Sequence, residues 1–389
     1  MISSLTCLED RFPSILDLKH RARRRIPHFA WEYLDSGTGR DEALGRNPEA
    51  LDAVQLMPRF LMGDQAPDLS VKVMGERYAL PVGAAPVGLS GLLWPGAEVM
   101  LAKACAKARV PYCLSTVAAA SIEDVAPHHG GLGWFQLYPP RDEGLRRDVL
   151  ARAWAGGFRT LVLTVDIPLV SRRERQRRAG LSVQAGVSNQ MLSHIAVRPA
   201  WALATVKAGK ANLRTVSQYA PAQDLDSVRK FFVNEWSCNP DLAYVEWLRR
   251  EWAGKLVVKG ILHPEDSAAC VERGADGIWV SNHGGRQFDA APTPIAALPA
   301  ILDAVAGRAA ILFCSGIRSG LDVVRAMALG ADMTFAGRAL QYGPAALGEP
   351  GAELALHILR EDVINAMHQL GCPDVACLPT SLVNAAVKS

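Results

Sequence analysis

Eight short apolar runs, each closed by a turn residue, constrain the fold of this chain more than any other feature. They read "LPVGAAPVG" (80–88), "VPYCLST" (110–116), "LGWFQLY" (132–138), "TLVLTVD" (160–166), "KLVVKG" (255–260), "GIWVSN" (277–282), "AAILFCSG" (309–316) and "DMTFAG" (332–337). Between most of them lie helical patterns, such as "PGAEVMLAKACAKA" and "SGLDVVRAMALGA", which stop at the Gly or Ala before the next run. Strands that are apolar throughout and alternate with helices imply a parallel sheet covered on its outer face. Eight such units predict a closed α/β (β/α)8 TIM barrel. An open, doubly wound sheet is the rival, but it needs G-x-G-x-x-G between its first strand and helix, and here "GGLGWF" (130–135) runs into a strand.

At 389 residues the chain suits one barrel domain over 1–389, preceded by a helical N-terminal segment. One spacing is anomalous. Between Asp166 and Lys255 lie nearly ninety residues, where a loop and one helix need about thirty. A long insertion therefore follows the fourth strand, over about 175–240. Its stretch 186–214 mixes Met191, Leu192, Ile195, Trp201 and Leu203 with Arg198, Lys207, Lys210 and Arg214. That pattern fits either an active-site lid or a peripheral contact with an anionic membrane.

Other features exclude classes of function. No apolar run is long enough to cross a bilayer, and "MISSLTCLEDRFPS" lacks a secretory pattern. The eight cysteines are scattered with no CxxC pair, as expected of reduced thiols in a cytoplasmic protein. A net charge of +3 nominates no nucleic acid, and "HRARRR" (20–25), at helical spacing beside "IPHFAWEYL", reads as a solvated helix face. His128 and His129 have no third ligand nearby, so no metal site is expected.

In a TIM barrel the working residues gather at the C-terminal ends of the strands. Here those ends carry Gln136 and Tyr138, Thr164 and Asp166, Lys259, Ser281 and His283 with Arg286 beyond, Gly316 and Arg318, and Gly337 and Arg338. Burying so many polar groups is costly unless a ligand uses them. Arg318 and Arg338, beside glycines on the last two strands, point to a phosphate site. Lys259 closes an apolar strand and needs a partner in the barrel mouth, for which an electron-rich ring that turns anionic on reduction is suited. His283 is the one histidine at a strand end, and Asp166 could orient it as a general base. Arg286 and Arg173 offer two forks for a carboxylate, whereas Arg172, Arg175, Arg177 and Arg178 read as solvated. A barrel that isomerises a phosphorylated substrate would explain Arg318, Arg338 and Lys259 equally well. A catalytically inactive barrel kept for binding is the non-enzymatic alternative.

Taken together, "SNHGGRQFD", "WFQLY", "LTVDIP", "LVVKG", "SGIRSG", "AMALGA" and "AGR" resemble the FMN-dependent α-hydroxy acid oxidase and dehydrogenase family, in order and over nearly the whole chain. The resemblance implies oxidation of an (S)-2-hydroxy acid to the 2-oxo acid. His283 is the implied base, Asp166 its partner, Arg173 and Arg286 the carboxylate clamp, Tyr33 a further carboxylate contact and Tyr138 the partner of the substrate hydroxyl. It also implies that Ala85, Pro86 and Val87 pass along the flavin, and that Ser115, Gln136, Thr164, Lys259 and Ser281 surround it. Gly316, Arg318, Gly337 and Arg338 are implied to hold its phosphate. One departure stands at Cys314, where the family usually has an aspartate near the ribityl chain. "GLSGLLWPGAE" (88–98) and "GCPDVACL" (371–378) look most like the mandelate dehydrogenase branch, with Gly88 leaving room for an aryl group. The likeness also implies quinone or O2 as electron acceptor and a homotetramer, and the length of the chain leaves no fused haem domain to be expected.

Overall fold

The computed structural model describes residues 4–64, 66–181, 188–236 and 238–383. Two short strands, β1 (Val71–Val73) and β2 (Glu76–Tyr78), form an antiparallel hairpin. Eight parallel strands then close a barrel: β3 (Val82–Ala84), β4 (Tyr112–Ser115), β5 (Gly133–Leu137), β6 (Thr160–Thr164), β7 (Lys255–Ile261), β8 (Gly277–Val280), β9 (Ala310–Cys314) and β10 (Met333–Ala336). All eight expected runs contribute one strand each, in sequence order, with β10 pairing to β3. The sequence reading did not foresee the hairpin, which is too short to show an alternating pattern.

Side chains two residues apart on a strand share a face, so the inward face of each strand can be followed upward. Cys113, Trp134, Val162, Val257, Trp279, Leu312, Met333 and Phe335 fill the lower barrel, and Val73 and Tyr78 of the hairpin join them from below. The rings of Trp279 and Phe335 lie 4.0 Å apart, and Trp134 and Phe335 5.0 Å apart. The Trp134 indole N–H donates to the Tyr78 hydroxyl at 3.2 Å, so the one polar atom of that ring is satisfied. A second, larger core lies between the strands and the outer helices.

The described part of the insertion is largely helical, and residues 182–187 and 237 lie outside it: Glu174–Arg178, Asn189–Ala196, Pro199–Ala208, Arg214–Ser217 and Leu225–Glu235 precede Leu242–Glu251, the helix that leads into β7. Trp201 does not face outward with its neighbours. It is buried edge-on against Phe29 with ring centroids 5.7 Å apart, and its N–H donates to the Leu92 carbonyl at 3.1 Å. Leu192, Val197, Leu203, Val206 and Val233 are the exposed large apolar residues among the described residues of this region. In the helix Ile15–Arg25, Arg21, Arg23 and Arg24 are solvated as expected, while Arg25 packs 3.4 Å above the Trp94 ring. No helix among the described residues is long and apolar enough to cross a membrane.

Candidate active site

Two residues above the apolar layer, the same inward faces turn polar. Ser115, Gln136, Thr164, Lys259, Ser281 and Cys314 are all buried there, and the register pairs Ser115 with Gln136 and Thr164 with Lys259. The Ser115 hydroxyl donates to Gln136 Oε1 at 2.9 Å and so fixes the amide. Gln136 Nε2 and Thr164 Oγ1 are left buried without a partner. Lys259 makes no ion pair with any described residue. Its ammonium donates to Ser281 Oγ at 3.3 Å and stands 5.8 Å from the Trp279 ring. Cys314 Sγ donates to the same Ser281 oxygen at 3.1 Å. Buried donors and a lone ammonium are unfavourable in an empty barrel, so this layer is built around an acceptor-rich ligand.

His283 sits just past β8 with a left-handed backbone, φ +56°. Its amide donates to Ser281 Oγ at 3.0 Å, and its Nδ1 meets Asp166 Oδ1 at 2.9 Å. Burial pulls the His283 pKa down to about 4; Asp166 opposes this and Lys259 adds to it. The imidazole is therefore neutral at neutral pH, with Asp166 holding Nδ1–H and leaving Nε2 basic. Burial works against the Asp166 carboxylate, yet the nearby His283 and Lys259 hold its pKa below the usual range. The approach of Asp166 depends on Gly260, which has φ +105° beside a register irregularity in β7. A Cβ at Gly260 would lie 2.5 Å from Asp166 Cβ and Cγ. The glycine in "VVKG" was legible, but its purpose was not.

The loop after His283 is tied to the N-terminal segment. Asn282 and Asn47 exchange two amide hydrogen bonds, at 2.9 and 2.7 Å. Thr38 N–H donates to the Gly285 carbonyl at 3.1 Å, and Asp289 accepts from the amides of Arg40 and Ala43 at 2.9 Å each. This anchors Arg286, whose guanidinium donates to the Tyr33 carbonyl at 2.8 Å and lies 5.2 Å from the Tyr33 ring centroid. Burial and then Arg173 pull the Arg286 pKa down to about 9, so an anion placed there is strongly favoured. Arg173 donates to Gln287 Oε1 at 3.2 Å, while its Nε is buried without a partner. Burial also raises the Tyr138 pKa, keeping its hydroxyl protonated. The Tyr33 hydroxyl donates to the Gly88 carbonyl at 2.8 Å, and a Cβ at Gly88 would lie 2.7 Å from Val117 Cγ2.

Arg175 is not solvated, as the sequence reading had it. Its guanidinium bonds both oxygens of the buried Glu32 (2.6 and 3.0 Å) and Asp41 (2.7 Å), joining the insertion to the N-terminal helices. Arg338 is buried with its guanidinium spent on the carbonyls of Leu34, Gly284 and Ser36, at 3.0, 2.9 and 2.8 Å. A phosphate placed here would meet its charge and the helix start at Gly337–Arg338, not free guanidinium N–H groups. Among the described residues, the Arg318 side chain bonds only the adjacent Ile317 carbonyl. His129 is structural, accepting at Nδ1 from the amides of Gly131 and Gly133. No group of three or more His, Cys, Asp or Glu side chains among the described residues could hold a metal ion.

One cavity of about 330 Å³ joins these parts. Ala85, Pro86, Val87, Gly88, Tyr33, Tyr138, Thr164, Arg173, Lys259, His283, Arg286, Cys314, Gly316, Arg318, Gly337 and Arg338 line it. The model of the FMN-dependent dehydrogenase family matches residues 22–385. The chain belongs to the FMN-dependent dehydrogenase family. It is 40% identical over 374 residues to an L-lactate dehydrogenase of Caulobacter vibrioides, covering 95% of this chain and 97% of the relative. It is 42% identical over 364 residues to an L-lactate dehydrogenase of Pseudomonas aeruginosa, covering 92% and 94%. Among solved structures, a monotopic membrane protein, (S)-mandelate dehydrogenase, superposes with TM-score 0.91 at 33% identity, covering 95% of this chain and 99% of that one. A lactate oxidase of Pediococcus acidilactici gives TM-score 0.82 at 26% identity, covering 95% and 94%.

The cofactor of this oxidoreductase is FMN. The residues present fit it: the orphaned donors Gln136 Nε2 and Thr164 Oγ1 match an acceptor-bearing ring. Lys259 matches a negative charge developing at that ring, and the helix start at Gly337–Arg338 with Arg318 matches a phosphate.

Proposed function

We propose that this enzyme oxidises an (S)-2-hydroxy acid to the 2-oxo acid, with His283 as the base. The observation that carries the reading is the meeting, in one cavity, of a neutral histidine bonded to Asp166 and the guanidinium groups of Arg173 and Arg286. Arg286 and Arg173 bind the substrate carboxylate, with Tyr33 beside it. Tyr138, kept protonated, hydrogen-bonds the substrate hydroxyl. His283 Nε2 takes a substrate proton, and Asp166 stabilises the imidazolium that results. When bound, FMN accepts the two electrons the substrate loses. Ser115 holds the Gln136 amide ready for the ring, and Lys259 supplies the positive charge next to it.

The names of the relatives suggest lactate or mandelate as substrate. Apolar walls at Leu89, Val170, Leu181, Leu213 and Phe232 support an acid larger than lactate. A phosphate-isomerising barrel is disfavoured, since it has no use for two arginines beside a base. The test is the absorption spectrum of the FMN-reconstituted protein under anaerobic conditions. Addition of (S)-mandelate is expected to bleach the flavin faster than L-lactate, and the (R) acids are expected to do so far more slowly. Stable flavin absorbance with both (S) acids would end the reading.

Exposed Leu192, Val197, Leu203 and Val206 beside Arg198, Lys207 and Lys210 support a peripheral membrane contact, from which quinone would be the acceptor. Sedimentation with phosphatidylglycerol vesicles, weakened by salt, is the expected result; equal sedimentation with neutral vesicles would argue against an electrostatic contact. O2 as acceptor and a homotetramer rest on family likeness alone. Oxygen consumption and light scattering of the holoenzyme test them.

A further inference from the structure

The helix Leu225–Glu235 of the insertion lays one stripe over the cavity. Arg229, Phe232, Val233 and Trp236, at spacings of three, four and seven, all line it. Phe232 packs edge-on against Tyr138 with ring centroids 5.9 Å apart. This places the stripe on the lid side of the cavity, against the tyrosine assigned to the substrate hydroxyl. Three of its residues are the expected walls for an apolar substituent. Arg229 is not.

The cations of the cavity have other assignments. Arg318 and Arg338 face the phosphate end, Lys259 the ring, and Arg173 and Arg286 the substrate carboxylate. Arg172 and Arg177 stand exposed at the rim, and Arg177 Nε is bonded to the Arg172 carbonyl at 2.6 Å. No carboxylate lines the cavity among the described residues. Arg229, half-buried, forms no hydrogen bond or ion pair with any described residue. Burial destabilises its charge, and only the phenol of Tyr33 and the exposed Asp226 oppose this. On the same stripe, the buried Trp236 indole N–H also has no partner. A guanidinium with no described partner on an otherwise apolar lid face implies a missing acceptor, and for a guanidinium that acceptor is anionic.

Resting on the functional reading above, we propose that the preferred substrate is a 2-hydroxy acid with a second anionic group, a carboxylate, at the end remote from its reacting carbon. Arg229 binds that group, with the Trp236 N–H in support. The first carboxylate stays on Arg173 and Arg286, so the second fixes the length of the acid the enzyme prefers. Arg229 is a specificity residue, and the chemistry at His283 is unchanged by it.

The experiment uses the FMN holoenzyme and measures anaerobic flavin reduction at limiting substrate. The probes are (S)-2-hydroxy diacids with one to three methylenes between the centres and (S)-4-carboxymandelate, each paired with the monoacid of equal length and with (S)-mandelate. At least one diacid is expected to exceed its matched monoacid by about tenfold or more, the scale of one charge-assisted hydrogen bond. Arg229→Met is expected to lower that diacid's rate constant by about 10- to 100-fold and the monoacid's by under about threefold, with Arg229→Lys recovering part of the loss. FMN binding and circular dichroism confirm that each variant is folded. No diacid preference in the wild-type enzyme, or an equal loss for both acids in Arg229→Met, would overturn the proposal. An acid-independent flavin spectrum would instead overturn the hydroxy acid reading beneath it.

Discussion

Two layers of one barrel, separated by a single step of two residues along each strand, behave in opposite ways. The lower layer, with Trp134, Val162, Val257, Trp279 and Leu312, is apolar; its Trp134 N–H is satisfied by Tyr78, and the Trp279 N–H is its one orphaned donor among the described residues. The upper layer on the same strands, with Gln136, Thr164, Lys259, Ser281 and Cys314, is buried yet keeps donors without partners. The lower layer therefore carries stability, while the upper layer is held in place by it and awaits a ligand. Replacement below should unfold the protein, and replacement above should silence it while leaving it folded.

The sharpest contrast is expected from Trp134→Ala. Emptying that site removes contacts with Trp279, Phe335 and Tyr78 and should cost about 3–5 kcal/mol, read as a lower denaturant midpoint. The fraction still folded should keep its rate of flavin reduction. Asp166→Asn, in the upper layer, should slow flavin reduction by about 10²-fold with little loss of melting temperature. Gly260→Ala should act in the same direction by displacing Asp166, since the added methyl cannot share its position. A large fall in stability for Asp166→Asn, or a dead but fully stable Trp134→Ala, would break the division between the layers.

The pH dependence follows from His283. Its folded pKa, about 4, lies below the value of an unfolded histidine, about 6.5. The native state therefore resists protonation, and stability due to this group is full above pH 6.5 and declines as the pH falls toward 4. Activity needs the neutral imidazole, so the rate of flavin reduction at limiting substrate, which reports the free enzyme, should hold to about pH 5 and drop below 4. A smaller effect is expected from Tyr78→Phe, which leaves the Trp134 N–H unsatisfied. It should cost about 1–3 kcal/mol without altering the rate of flavin reduction.

The order and number of the barrel strands were legible because uninterrupted apolar runs recur with helices between them. The polar ends of those runs exposed His283, Asp166, Lys259 and the arginines for the same reason: a charge at the end of a buried strand is visible against its surroundings. What the sequence hid depends on partners distant along the chain. Arg175 looked like any member of "SRRERQRR" until Glu32 and Asp41 were brought beside it. Arg338 read as a free cation, and the three carbonyls that occupy its guanidinium were not visible in the sequence. Gly260 read as a strand end, whereas its role is to admit Asp166. Arg229 was overlooked, although its spacing to Phe232, Val233 and Trp236 was a readable signal. The trace of β1 and β2 was too short to register.

The most direct test of the central claim is rapid-mixing flavin reduction by (S)-mandelate in His283→Asn beside the wild type, with FMN affinity measured on both. The account predicts equal FMN affinity and an unchanged melting temperature, with reduction slower by about 10²- to 10⁴-fold. Reduction at the wild-type rate in a fully loaded His283→Asn enzyme would contradict it, and the base would have to be sought elsewhere in the cavity.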